Sequence, residues 1–150
     1  MKKNYCKIQF KTAVEYDERL NNHEDYLKML NILESKCSFI GITNKHEIIE
    51  EFQKDIIKVE HSNEWWACIT SYTETITFIK SSKELFNSLR KYDSFYKNIV
   101  NELGYTEIIE TNFDLNDIAF YDSEENIMLG TCTHEGFTTV TKEIDKEFNS

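Results

Sequence analysis

Short segments rich in β-branched and aromatic residues recur along most of this chain, at lengths that suit strands rather than helices. Residues 55–61 alternate, with Ile57 and Val59 on one side and Ile56, Lys58 and Glu60 on the other. Residues 65–71 and 74–80 read as two more strands joined through Ser71-Tyr72-Thr73; in the second, Thr75, Thr77 and Ile79 alternate with Ile76, Phe78 and Lys80. Residues 38–43, 105–110, 117–121, 127–133 and 137–141 extend the series, with turns at 122–126 and at His134-Glu135-Gly136. Residues 5–10 also alternate. Most of these connections are too short for a crossover helix, so consecutive strands should pair antiparallel.

Three segments carry helical spacing. In residues 22–36, Leu27, Leu30 and Leu33 recur on one face, widened by Met29 and Ile32, and the acids Glu24 and Asp25 suit the positive end of the helix dipole. Asn44 with Glu47 three residues on forms a capping-box pattern for a short helix whose inner face is Ile48, Ile49 and Phe52. Ser81 or Ser82 opens the third, with Ser81-x-x-Glu84 as a capping box. Leu85, Leu89, Tyr92, Tyr96, Ile99 and Leu103 then step at three and four up to Gly104 as terminator. Lys83, Arg90, Lys91 and Lys97 fall on its other face. A charged tail follows residue 141.

The expected fold is α+β: a single mostly antiparallel sheet with two longer helices packed on one face, formed by residues 1–150 as one domain. At 150 residues and 40% hydrophobic content the chain can bury a real core, and no linker or repeat divides it. It has no Pro and only four Gly, so a glycine-rich phosphate loop is nearly excluded.

Charge is unevenly spread. Residues 98–140 contain no Lys or Arg but hold nine acids: Glu102, Glu107, Glu110, Asp114, Asp117, Asp122, Glu124, Glu125 and Glu135. The remaining residues carry 17 bases against 18 acids, so nearly all of the net charge of -10 comes from this third of the chain. A field of one sign attracts a basic partner and repels phosphates, which disfavours nucleic acid and anionic membranes as direct ligands. The alternative is a surface that only confers solubility.

Trp65-Trp66 offers an aromatic anchor, because adjacent residues of a strand face opposite ways and one indole would stand away from the core. The partner-binding set expected on these grounds is Trp65, Trp66, Glu107, Glu110, Asp114, Asp117, Asp122, Glu124, Glu125 and Glu135. It suits a small acidic inhibitor, of immunity-protein or antitoxin type, docked on a basic protein such as a toxin nuclease at its anion-binding site.

Enzymatic readings are weaker. Cys132-x-His134-Glu135 has metal-ligand residue types but no second paired motif, and residues 122–126 lack the register of a calcium loop. No motif names a reaction, a metal or a cofactor. A small enzyme or ligand-binding domain would place its cleft near Trp65, Asp117, Cys132 and His134. Asp117 is the carboxylate to inspect first, because it leads into the apolar Ile118-Ala119-Phe120. The four Cys, without a CxxC pair, read as reduced thiols of a cytoplasmic protein, with two long-range disulfides as the alternative. No apolar run approaches the length of a membrane span or a secretory signal.

Overall fold

The computed structural model describes residues 13–16, 20–66, 68–111, 113 and 116–150, without the side chains of 68–72, 98, 106, 108–111 and 134. The expected strand at residues 5–10 lies outside the described residues.

Among the described residues, seven strands form one antiparallel sheet in the order β1-β9-β8-β7-β2-β4-β3: β1 (Ala13–Tyr16), β2 (Phe39–Thr43), β3 (Ile56–Trp65), β4 (Cys68–Lys80), β7 (Ile118–Tyr121), β8 (Ile127–Cys132) and β9 (Phe137–Thr141). A separate hairpin pairs β5 (Tyr96–Val100) with β6 (Thr106–Thr111). The helices are α1 (His23–Glu34), α2 (Glu47–Glu51), α3 (Lys83–Leu89) and α4 (Lys142–Phe148). The α+β class and the mostly antiparallel sheet are thus as the strand pattern predicts.

These helices of the described residues bury apolar side chains against one sheet face. Tyr26, Met29, Leu30 and Leu33 of α1, Ile48 of α2, Leu85, Phe86 and Leu89 of α3, and Ile144 and Phe148 of α4 join Ile40, Ile42, Ile79, Ile118, Phe120 and Leu129 in one core. α1 begins where the Asn22 side chain accepts from the Asp25 N–H, satisfying a donor that the first turn leaves without a partner. Arg90, just past α3, donates to Glu34 at 2.5 Å and holds that carboxyl below its usual pKa, tying the ends of α1 and α3 together.

The opposite face is also covered. Trp65, Trp66, Ile76, Phe78, Ala119, Tyr121, Ile127 and Cys132 form a second core there. Its centre is a row of small residues: Gly41, Ala119 and Gly130 lie directly opposite one another on β2, β7 and β8. The Trp66 indole fills the space above Gly130 and shares with the Phe78 ring the space above Gly41. A Cβ on Gly130 would stand 2.6–2.8 Å from Trp66 Cδ1, Cγ and Cβ, and one on Gly41 would stand 3.4 Å from Cζ3.

Several expectations are corrected. The helix predicted from residue 81 to 103 ends at Leu89, and its second half is β5 and the turn into β6. Of the two serines offered as its start, Ser82 is the cap, accepting from the Leu85 N–H, so the Ser81-x-x-Glu84 box does not form. Gly104 takes the left-handed φ of +85°, as a glycine should, but inside the hairpin turn instead of at a helix end. Residues 65–71 and 74–80 are not two separate strands: Trp65 ends β3, the chain reverses at Trp66, and β4 runs unbroken from Cys68 to Lys80. His46 rather than Asn44 caps α2, accepting from the Ile48 N–H through Nδ1. The charged tail is helix α4, capped by the Thr141 hydroxyl, with Ile144 and Phe148 buried.

Candidate functional site

The expected anchor fails for a local reason. Trp65 is the last residue of β3 and Trp66 lies in the turn, so strand alternation does not separate them, and both indoles pack on the second face and are buried. Neither can reach a partner's surface.

Asp117 is likewise an interior residue. Its Oδ2 accepts from Trp65 Nε1 at 3.0 Å; its Oδ1 accepts from the Thr131 hydroxyl at 3.0 Å and the Thr133 N–H at 2.7 Å. Its own N–H donates to the Thr43 hydroxyl at 2.9 Å. The carboxylate therefore joins β3, β8 and the turn after β8, and the backbone N–H of the same residue adds β2. Burial pushes its pKa up, and donors from Thr133, Thr131 and Trp65 pull it back. Three donors of the fold hold the two oxygens and the residue is buried, so this group is structural and leaves the partner-binding set.

The remaining acids do not share one surface. Asp122, Glu124 and Glu125 lie in the turn between β7 and β8, where Asp122 Oδ1 accepts from the Glu124 and Asn126 N–H groups. Glu135 lies in the turn between β8 and β9. These turns flank the same strand, so they sit at opposite ends of the sheet, about 20 Å apart at 3.3 Å per residue. β6 lies beside the turn that holds Glu135. Glu110 stands opposite Lys97 in the β5–β6 register. Asp114 lies outside the described residues. Among the described residues, the acids expected to form one anionic surface are thus divided between the two ends of β8, the β5–β6 hairpin and one buried carboxylate.

The β5–β6 hairpin carries what the sequence reading misses. Leu103, assigned there to the inner face of a helix, is 81% exposed, and Tyr105 is 69% exposed. They flank Gly104 at the tip, with Val100 also exposed on β5. Glu102 and Glu107 bracket them, both exposed and without an ion pair among the described residues. The tip is preorganised: the Asn101 side chain accepts from the Leu103 and Tyr105 N–H groups at 2.9 and 3.1 Å. The only signal for it in the sequence is Gly104 after Asn101, a turn pair that the helical spacing overrides.

Cys132 is disulfide-bonded and Cys37 is free, so the reduced-thiol expectation fails at Cys132. Cys6 and the side chain of Cys68 lie outside the described residues. The thiols therefore no longer argue for a cytoplasmic location. Cys37 is half-buried, and burial pushes its thiol up to about 12, which makes it a poor nucleophile. Dithiothreitol is expected to lower the stability of the protein by about 2–4 kcal/mol through the loss of the Cys132 bond. Coincident urea melts with and without reductant would show that the bond contributes nothing. Among the described residues no group of His, Cys, Asp and Glu is placed to hold a metal ion, and no helix is long and apolar enough to cross a membrane.

Fold and site together define an α+β protein with two covered sheet faces and a projecting acidic hairpin. Comparison with protein-family models, with curated proteins and with solved structures finds no match.

Proposed function

We propose that this chain is a small acidic inhibitor of immunity-protein or antitoxin type, which docks on a basic protein partner through the tip of the β5–β6 hairpin. The observation that carries the reading is the exposure of Leu103 and Tyr105 beside Glu102 and Glu107. Isolated apolar residues on a surface are ordinary, but an aliphatic and an aromatic side chain on one pinned turn, rimmed by acids, form the core and rim of a contact in miniature. Tyrosine is among the residues that dominate interface energy. The carboxylates steer the partner in and occupy positions where its anionic substrate would bind, which is how such a protein would block a nuclease. The net charge of -10 supports the same direction of attraction.

The enzyme alternative near Trp65, Asp117, Cys132 and His134 has less support, since the Asp117 oxygens are taken up by Trp65, Thr131 and Thr133.

The test is capture from the source cell at low and high salt. A basic protein retained at low salt and shed at high salt is expected, because exposed charge pairs are screened within about 8 Å at physiological ionic strength. Tyr105→Ala and Leu103→Ala should each weaken capture by about tenfold or more, and Glu102→Lys with Glu107→Lys should slow association, while all leave the thermal midpoint nearly unchanged. Recovery of no basic partner at either salt, or of one indifferent to the tip substitutions, would overturn the reading.

A further inference from the structure

β3 forms an outer edge of the seven-stranded sheet, and among the described residues nothing pairs with its far side. Bulges interrupt its pairing with β4 between Ile56 and Lys58 and again between Ser62 and Glu64, which leaves a regular stretch between them. In that region Ile57 is 55% and Val59 is 50% exposed on one side of the strand. Lys58 and Glu60 lie on the other side, their charged ends 2.8 Å apart, with the Lys58 ammonium over the Phe78 ring. An open strand edge presents unpaired N–H and C=O groups and is a template for a further strand.

The charge pattern says which strand. Two copies of β3 related by a two-fold axis pair antiparallel, with facing side chains on the same sheet face. Centring the axis on Lys58 would oppose two lysines, and centring it on Glu60 would oppose two glutamates. Centring it on Val59 sets Lys58 of each copy against Glu60 of the other and Val59 against itself. Opposite charges directly across a strand pair stabilise it and like charges destabilise it, so of these three registers, which keep the axis within the regular stretch, only this one is complementary. Such an isologous contact is closed by its own symmetry.

We infer that the chain self-associates through β3, centred on Val59, so that two seven-stranded sheets become continuous across the dimer. The contact is small and belongs with weak interfaces. It is independent of the hairpin tip, so Tyr105→Ala should not alter it.

Sedimentation equilibrium up to about 1 mM protein tests the association, because even a contact worth about 4 kcal/mol is half-formed there. A dimer is expected; a monomer throughout that range overturns the inference. Lys58→Glu should weaken the dimer about tenfold or more by setting two carboxylates against each other across the axis, one of them from Glu60, and the exchange Lys58→Glu with Glu60→Lys should restore it. If the exchange stays as weak as the single change although circular dichroism shows both folded, the register is wrong. Under mild oxidation Val59→Cys should link to itself across the axis, whereas Ile57→Cys, equally exposed but facing residue 61, should not. Equal linking of the two variants, or linking of neither above the unsubstituted protein, also overturns it.

Discussion

Trp66→Ala is expected to destabilise the protein by about 3–5 kcal/mol, the cost of removing a fully buried aromatic from a packed face. The indole spans β2, β7 and β8 where Gly41, Ala119 and Gly130 leave a slot, so its loss empties the centre of the second core rather than a margin. Gly130→Ala attacks the same contact from below. Its methyl would lie within 2.8 Å of three Trp66 atoms, a separation that real Cβ contacts essentially never show. Overpacking of this kind costs about 1–3 kcal/mol. The informative measurement is the double variant. If the methyl is harmful only because Trp66 is there, Gly130→Ala in the Trp66→Ala background should cost little or even fill part of the cavity, and the two effects will fall short of adding. Strict additivity in urea melts would mean that Gly130 is constrained by something other than the indole.

How far the sequence discloses this arrangement depends on which contacts are local. α1 is legible because its apolar residues recur with the helical period, and β2, β7, β8 and β9 because each is a short apolar or β-branched run bounded by turns. The segment after Leu89 misleads because steps of three and four through Tyr92, Tyr96, Ile99 and Leu103 satisfy a helical pattern. Aromatic and β-branched residues with Asp93 and Ser94 ahead of them suit a turn and a strand equally well, and packing of Phe95 and Tyr96 into the core decides it. The slot for Trp66 is hidden altogether: two glycines far apart in sequence acquire meaning only once β7 lies between their strands. The dispersal of the acids has a different origin. Nine carboxylates contiguous along a chain are not contiguous in space when the segment is a meander, because turns before and after one strand must fall at opposite ends. That rule can be applied to the strand pattern alone. The exposed hairpin tip cannot be reached that way, since Leu103 as a helical residue would point inward.

Asp117→Ala is expected to cost about 3–5 kcal/mol although it removes a residue that the charge pattern would class with the surface. It leaves the Trp65 indole N–H, the Thr131 hydroxyl and the Thr133 N–H without their acceptor in a region closed to water, and each buried orphan costs about 1–3 kcal/mol. Asp117→Asn separates geometry from charge. The amide oxygen can keep the Thr131 and Thr133 bonds, but the amide nitrogen then faces Trp65 Nε1, donor against donor, at a position where 3.0 Å now separates donor from acceptor. Adding Trp65→Phe removes the second donor, so the pair should be more stable than the sum of the single changes. The pH dependence gives a second handle with a definite sign. Because burial raises the folded-state pKa of Asp117 above 3.8, the folded chain takes up this proton before the unfolded chain does. Its contribution to stability is therefore full below 3.8 and declines as pH rises through the folded value. The advantage of the natural protein over Asp117→Asn should accordingly be largest at acid pH and shrink toward neutrality, in urea melts taken across that range. An advantage that grows with pH would mean that the three donors outweigh burial and that Asp117 is held ionised in the interior as a fixed negative charge.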